Sequence, residues 1–271
     1  MNHMQVKILG SGTSTGIPQI GCTCEVCTSS DVHDKRLRCS SLVTIGNTNI
    51  LIDCGPDFRE QMLHLPFAPI DAVLITHEHY DHVGGLDDLR PFCKFAPIPI
   101  FCDKRSCDSI KARMPYCFKE GKLYPGVPQL SLHEISAFRP FRVKGIDIMP
   151  FEVMHGNIPI LGFRINQFAY ITDMSTMIDM SFNTLHGIDT LILNALRIQP
   201  HHSHQTIEEA VATALRIDAR QTFFIHMSHQ AGLHKEVNNK LPENIKLAYD
   251  GQVINVSDEI RQKTVNPDLF Q

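Results

Sequence analysis

The strongest constraint in this sequence is a cluster of potential metal ligands that directly follows an apolar run. The run spans residues 71–75, and the cluster reads His77, Glu78, His79, Tyr80, Asp81 and His82. Alternate side chains of an extended segment point the same way, so His77, His79 and Asp81 can face one point beyond a strand end, with His82 beside them. The pattern predicts half of a metal site, and the alternative is a histidine-rich surface loop.

Three further potential ligands stand at the ends of apolar runs. His155 closes one predicted strand, Asp173 follows another, and His226 follows a third. Functional side chains concentrate in loops at the ends of a rigid scaffold, although single loop residues of these types are also common structural residues. Asp53 ends a fourth run, where it is either a carboxylate that steadies a metal-bound histidine or a structural turn residue.

The cysteines suggest a second metal site. Cys22, Cys24 and Cys27 form the pattern Cys-x-Cys-x-x-Cys, which suits a tetrahedral zinc ion that needs one more nitrogen or sulfur ligand. The candidates that the residues leave open for that position are Cys39, His33 and His229. Nine cysteines without a secretory signal argue for free thiols and metal ligation rather than for disulfides. The alternative for the three is ordinary buried or reactive thiols.

Length and composition limit the class of protein. With 271 residues, 43% of them hydrophobic, the chain can form one large or two modest domains with a sizeable core. A net charge of -4 gives no basic field of the kind that attracts nucleic acid without sequence preference. The sequence shows neither a signal-peptide pattern nor a run approaching ~18 apolar residues, so we expect a cytoplasmic protein without membrane contact.

Hydrophobic periodicity and turn residues predict two successive runs of strands with helices between them. The predicted strands span residues 5–9, 41–45, 49–53, 98–101, 141–143, 146–149, 151–155, 160–165, 168–172, 191–194, 222–225, 246–250 and 253–256. The predicted helices span residues 58–64, capped by Asp57, then 83–90, interrupted by two glycines that let the backbone pass close to the metal pocket, and 104–114 and 206–216, the last opened by a capping box of Thr206 and Glu209. Residues 102–129 carry the weakest pattern, and a polar tail follows residue 256. Two similar halves in one compact domain are the expected arrangement.

The order of the ligand candidates along the chain resembles that of the metallo-β-lactamase superfamily of binuclear metallohydrolases. The resemblance covers nearly the whole chain and implies one hydrolase domain over residues 1–271. The implied fold class is α/β, an αββα sandwich of two mixed β-sheets flanked by helices. The implied ligands are His77, His79 and His155 for one metal, Asp81, His82 and His226 for the other, and Asp173 as the bridge. Zinc suits this donor set first, with manganese or iron as alternatives.

A narrower resemblance rests on motifs outside the histidine cluster. They are Gly10-Ser-Gly-x-Ser-x-Gly-x-Pro18, the cysteine pattern, Ile52-Asp53-x-Gly55-Pro56-Asp57, His204-x-Thr206 and His226-x-x-His229. Together they are similar to the phosphoribosyl cyclic phosphodiesterase branch of phosphonate breakdown, while the cofactor-synthesis protein of the pyrroloquinoline quinone pathway shares related features. The branch implies one structural zinc on Cys22, Cys24, Cys27 and His229, which would pin the N-terminal loop beside the active site.

The resemblance implies hydrolysis of a small or cyclic phosphodiester by a hydroxide that bridges two metal ions. Asp81 and His204 are the expected catalytic residues, with His204 as the general acid because a histidine titrates near neutral pH. The alternatives are a tRNA 3′-end endonuclease, hydrolysis of a thioester or lactam, and a non-catalytic accessory protein of cofactor biosynthesis with the same fold. The expected partner is a small-molecule phosphodiester; nucleic acid is a weaker candidate, and a homodimer stays open.

Overall fold

Two β-sheets form the centre of the computed structural model, which describes residues 3–119, 121 and 125–257. The strands are β1 (Met4–Gly10), β2 (Ser40–Ile45), β3 (Thr48–Ile52), β4 (Ala72–Leu74), β5 (Ile98–Cys102), β6 (Leu130–Glu134), β7 (Phe141–Val143), β8 (Ile146–His155), β9 (Ile158–Ile165), β10 (Phe168–Tyr170), β11 (Thr190–Asn194), β12 (Gln221–Ile225), β13 (Ile245–Leu247) and β14 (Val253–Val256). The α-helices are α1 (Glu25–Thr28), α2 (Phe58–Leu63), α3 (Tyr80–Val83), α4 (Lys104–Arg113), α5 (Asp179–Thr184), α6 (Ile207–Ile217) and α7 (His234–Asn238). Short 3-10 helices lie at Val32–Asp34, Leu86–Lys94, Pro115–Cys117 and His229–Ala231. Most of the predicted polar tail, and residues 120 and 122–124 of the weakly patterned segment, lie outside the described residues.

Each sheet combines antiparallel and parallel neighbours. The first sheet has the order β14-β1-β2-β3-β4-β5-β6, antiparallel from β14 to β3 and parallel from β3 to β6. The second has the order β13-β12-β11-β10-β9-β8-β7, antiparallel from β7 to β10 and parallel from β10 to β13. Both sheets are therefore mixed and share one plan, which agrees with the expectation of two similar halves.

The sheets pack face to face, and helices cover their outer faces. Alternate side chains of β1 (Met4, Val6 and Ile8) point between the sheets into a buried cluster that includes Phe163 and Tyr170 of the second sheet. A second buried cluster joins the outer face of the first sheet to α2, α3 and α4. A third joins the second sheet to α6. This order of layers confirms the predicted αββα sandwich.

Two glycines allow the chain after the histidine cluster to pack closely against the turn after β3. A side chain at Gly55 would meet the backbone oxygen of Asp81 at 2.0 Å, and one at Gly85 would meet the backbone oxygen of Gly55 at 2.1 Å. The close approach interrupts the helix: α3 ends at Val83, and a separate 3-10 helix follows. The predicted interruption at two glycines is therefore confirmed, and the part after Gly85 is a 3-10 helix.

The two predicted helix caps differ in outcome. The capping box of α6 is present, because Thr206 Oγ1 accepts a hydrogen bond from the Glu209 backbone and the Glu209 carboxylate accepts one from the Thr206 backbone at 2.8 Å. The Asp57 cap is wrong. Its carboxylate accepts hydrogen bonds from the backbone and the guanidinium of Arg38, at 2.8 and 2.7 Å, and makes none to α2.

In the described part of the chain, no helix has the length and apolar character needed to cross a membrane.

Candidate active site

The predicted ligands come together at one edge of the sandwich, where strands of both sheets end. The histidine cluster follows β4, His155 ends β8, and Asp173 and His226 follow β10 and β12. Ligand atoms of these residues within 4.8 Å of one another form two groups: His77, His79 and His155 in one, and Asp81, His82, Asp173 and His226 in the other. A third group joins His155 and Asp173 to His204. Segments far apart in sequence therefore build one cluster of the seven predicted ligands, with His204 at its side.

The carboxylate of Asp173 lies between the two groups. Its Oδ1 is 3.3 Å from His82 Nε2 and 3.2 Å from His226 Nε2. Its Oδ2 faces the other group, 3.9 Å from His77 Nε2. Each oxygen of this one carboxylate can therefore serve a different group of ligands.

Several buried ring nitrogens in the cluster have no hydrogen-bond partner among the described residues. They are Nε2 of His77, Nε2 of His82 and both ring nitrogens of His226. Leaving a buried polar atom without a partner costs roughly 1–3 kcal/mol, whereas a neutral imidazole nitrogen is a common metal ligand. Histidine nitrogens with carboxylate oxygens suit zinc, manganese or iron, so the residues present fit two metal ions.

The second ring nitrogens of three histidines are oriented by neighbouring oxygens. His82 Nδ1 donates to Asp53 Oδ2 at 2.8 Å, and His155 Nδ1 donates to the backbone oxygen of Asp173 at 2.8 Å. His77 Nδ1 lies 3.1 Å from Thr76 Oγ1. Such hydrogen bonds fix the ring and leave Nε2 free to bind a metal. Asp53 was expected to be either a carboxylate that steadies a histidine or a structural turn residue. Its hydrogen bond with His82 favours the first interpretation.

Replacing Asp53 with asparagine is expected to lower metal affinity by roughly 10–100-fold, since a neutral amide replaces the carboxylate that orients His82. Competition with a chelator of known affinity measures the change. Asp57→Asn is the control, because that carboxylate accepts hydrogen bonds from Arg38 and not from a histidine of the cluster. Equal metal affinity for Asp53→Asn and the unaltered protein would contradict the orienting role.

Three residues of the site have a left-handed backbone conformation. Asp53, Asp173 and His226 have φ values of 57°, 56° and 56°, and each comes just after a strand. Residues other than glycine rarely adopt positive φ, and such backbone conformations cluster at functional sites. The turn at each strand end therefore directs a polar side chain toward the cluster at a cost in backbone energy.

Burial disfavours the charged form of each titratable group in the cluster. At several of these groups, however, a neighbouring opposite charge has the larger effect on the pKa. Although burial alone would raise them, the pKa values of Asp81 and Asp173 are held below their usual range by His82 and His226. The two carboxylates in turn raise the pKa of His82 against the effect of burial, whereas burial lowers the pKa of His77. A metal ion must therefore displace a proton at His82, so we expect metal affinity to fall as the pH falls.

The proposed acid His204 lies at the side of the cluster. Its Nε2 is 3.2 Å from Asp173 Oδ2, and its Nδ1 is 3.0 Å from both Ser203 Oγ and His201 Nδ1. Burial lowers the pKa of His204 to about 4, although Asp173 acts in the opposite direction. This pKa lies below the near-neutral value expected of a histidine general acid, so His204 is largely neutral at pH 7.

The two residues between the ligands of the histidine cluster face away from it. Glu78 accepts a hydrogen bond from Arg105 Nε at 3.1 Å, and Arg105 also donates to the backbone oxygen of Pro159 at 3.2 Å. Tyr80 is 62% exposed. Arg105 thus connects the histidine cluster to β9, the neighbour of the strand that ends at His155. Sequence reasoning missed this contact, because nothing in the pattern around Arg105 points to Glu78.

The three cysteines meet a histidine beyond the last strand-end ligand. His229 Nδ1 lies 3.2 Å from Cys22 Sγ and 3.3 Å from Cys24 Sγ, and the four ligand atoms including Cys27 Sγ lie within 4.8 Å. A hydrogen bond from the Cys27 backbone is the largest influence that lowers the pKa of the Cys24 thiol to about 6. The other two candidates are engaged elsewhere: Cys39 is fully buried in the core, and His33 bonds Asp31.

This cysteine group lies next to the loop that follows β1. Thr13 N donates to the backbone oxygen of Met227 at 3.0 Å, and Met227 N donates to Ser11 O at 3.1 Å. Because Met227 lies between His226 and His229, one short segment contacts the N-terminal loop and carries a candidate ligand of each metal group. The loop is therefore held beside the candidate active site.

Comparison with known proteins agrees with this fold. A model of the beta-lactamase superfamily domain matches residues 48–227. The chain therefore belongs to the β-lactamase superfamily. Within that superfamily it falls in the PhnP family. The crystal structure of a diphosphatase from that family is 39% identical and covers 93% of this chain and 97% of that one, with a TM-score of 0.86.

Two curated relatives extend the comparison. An octanoyltransferase of Porphyromonas gingivalis is 44% identical over 267 residues, which are 97% of this chain and 54% of that protein. Coenzyme PQQ synthesis protein B of Methylobacterium nodulans is 32% identical over 171 residues, 58% of this chain and 54% of that protein. The chain thus spans about half the length of the curated relatives that it matches.

Proposed function

We propose that this chain is a metal-dependent phosphodiesterase that hydrolyses a small or cyclic phosphodiester. The observation that carries the proposal is the Asp173 carboxylate, which directs one oxygen to each of two ligand groups in a buried cluster. The family membership supports it, because the similar PhnP-family protein is named a diphosphatase and matches nearly end to end. Zinc is the metal that we assign first to both active-site positions and to the cysteine group.

The roles of the residues follow from their positions. His77, His79 and His155 would hold one metal ion, Asp81, His82 and His226 the other, and Asp173 both. When bound, two such ions supply an activated water at neutral pH and neutralise charge on the attacked phosphoryl group. The Asp81 carboxylate is 12% exposed, more than His82, Asp173 or His226, so it faces the open side, where it can orient the attacking water. His204 would protonate the leaving alkoxide. Because its pKa is lowered to about 4, this role requires that the bound phosphodiester anion raise the pKa of the neighbouring ring and so stabilise its protonated form.

His204→Ala is expected to slow hydrolysis of phosphodiesters with alkoxide leaving groups by roughly 10²–10⁴-fold, but to leave activated nitrophenyl esters much less affected. The reason is that an alkoxide needs a proton to depart, whereas nitrophenolate does not. His202→Ala is the matched control, since that neighbouring histidine is exposed. Steady-state rates on both substrate classes make the test, and an equal loss on both would contradict the acid role.

A substrate panel tests the proposed function as a whole. Metal-loaded protein should turn over cyclic phosphates or small linear diesters, including diphosphate diesters, faster than a tRNA precursor, a thioester or a lactam. Cleavage of the tRNA precursor while small phosphodiesters stay intact would favour the nuclease. Failure on the whole panel would favour a non-catalytic accessory protein. The net charge of -4 weighs against a nuclease, since electrostatic attraction supplies most non-specific binding of nucleic acid.

We do not propose octanoyltransferase activity for this chain. The match covers 54% of that relative, so the unmatched remainder of the longer protein leaves ample room for a separate activity. A cytoplasmic location and a homodimer stay predictions.

A further inference from the structure

A cleft on the outer face of the first sheet takes no part in the proposed chemistry. Helices of this layer pack over Leu51, Val73 and Ile100 of β3, β4 and β5. Toward the other edge, Lys7 pairs directly with Val253 of β14 and with Leu42 of β2, so these three side chains form a row on the same face. The row forms the floor of a cleft of about 290 Å³, which we call the β1 cleft.

The wall of the β1 cleft is apolar. It is formed by Met62 of α2 and by the segment that follows this helix, with Leu65 and Ile70 among the lining residues. Aliphatic side chains therefore line much of the cleft, with Lys7 between Leu42 and Val253 in the floor. The other polar lining residues, Gln5, Thr44 and Asn49, pair with one another across neighbouring strands. A ligand in the cleft would bury hydrocarbon against the aliphatic side chains, at about 25 cal/mol for each Å² of apolar surface removed from water.

Lys7 supplies an unpaired charge in this apolar setting. In the part of the chain that the structure describes, its ammonium group makes no hydrogen bond or ion pair. The other polar groups of the cleft do have partners: Gln5 donates to Asn255 at 3.1 Å, Thr44 donates to Asn49 at 2.9 Å, and Asn49 donates to the backbone oxygen of Pro69 at 2.9 Å. Lys7 is therefore the group that remains able to bind an anion.

The size and charge of the β1 cleft define its ligand. A volume of about 290 Å³ lies at the lower end of the range of ligand pockets, which suits a ligand smaller than a drug-sized molecule. One cation matches a single carboxylate, whereas a phosphate dianion calls for further donors. We propose that the β1 cleft binds a medium-chain carboxylic acid, with its chain against Leu42, Met62 and Leu65 and its carboxylate at Lys7. This site goes beyond the proposed hydrolysis, because none of its lining residues is a candidate metal ligand.

Titration of the metal-loaded full chain with octanoate, followed by NMR, tests this proposal. We expect saturable shifts at Lys7, Leu42, Met62 and Val253, and weaker binding of octylammonium, whose charge is repelled. Lys7→Met keeps an unbranched side chain but removes the charge, and should weaken octanoate binding about tenfold, the effect of losing one charge-assisted hydrogen bond. The control is Lys104→Met, because that lysine is exposed and paired with Asp108.

Three outcomes would overturn the proposal. The first is octanoate binding that Lys7→Met leaves unchanged, for example through the carboxylate at the metal centre, which competitive inhibition of hydrolysis would reveal. The second is equal affinity for octanoate and octylammonium. The third is a concentration-dependent dimer in which the β1 cleft is buried, because the occupant would then be a second copy of the chain.

Discussion

Asp173→Ala is expected to lose active-site metal and at least about a thousandfold in turnover together. The carboxylate contacts nitrogens of both ligand groups, so its removal leaves each group without one oxygen ligand. The same change removes one of the two carboxylates, Asp81 and Asp173, that most raise the pKa of His82. Metal analysis after passage over a chelating resin, together with steady-state kinetics, measures both losses.

The backbone at this position calls for a second variant. Because φ of Asp173 is 56°, alanine strains the turn as well as removing the ligand, whereas asparagine tolerates the left-handed region. Asp173→Asn should therefore keep the fold but still lose metal and turnover. The matched control is Asp189→Asn, another buried carboxylate, which pairs with Arg220 outside the site. Full phosphodiester turnover by Asp173→Asn would refute the bridging assignment.

Cys24→Ser is expected to remove one metal ion per chain and to lower the free energy of unfolding by roughly 4 kcal/mol or more. Structural zinc contributes folding free energy directly, and loss of a metal is among the few single changes with effects of this size. Unaltered protein should hold about three metal ions, two at the strand ends and one at the cysteines. Metal analysis and thermal unfolding of the same samples measure the two losses.

The control for this variant is Cys93→Ser, at a thiol of comparable burial outside the group. It should keep all metal ions. Turnover by Cys24→Ser should fall only in part, because the loop that contacts Met227 loosens while the strand-end ligands stay in place. An unchanged metal content in Cys24→Ser would show that the cysteine group holds no metal in this chain.

Much of this site was predictable because its residues follow apolar strands. His155, Asp173 and His226 each stand at a strand end, and parallel strands of a sandwich bring such ends to one edge. His229 was predictable only through the family resemblance, since spacing alone left Cys39 and His33 equally open. The site assignments themselves stay predictions until metal is measured.

What escaped prediction depends on contacts between segments distant in sequence. Asp57 precedes a helix and has the right chemistry for a cap, but Arg38 arrives from another loop and takes its carboxylate. The contact of Arg105 with Glu78 and the burial that lowers the pKa of His204 are of the same kind. Local pattern carries no information on which side chain approaches from elsewhere, so these features needed the structure.

The left-handed turns at Asp53, Asp173 and His226 are a structural feature by which such sites can be recognised. They also cost backbone energy that a chain without this site would not need to spend. Glycine would relieve the backbone strain at each of these three positions, since it adopts positive φ without steric cost. A protein engineer who made that exchange would erase the chemistry, and at Asp53 would also leave the Thr76 amide and His82 Nδ1 without the carboxylate that they bond. Conversely, a search of other folds for aspartate or histidine in this conformation just past a strand offers a way to find active sites that share no sequence with this one.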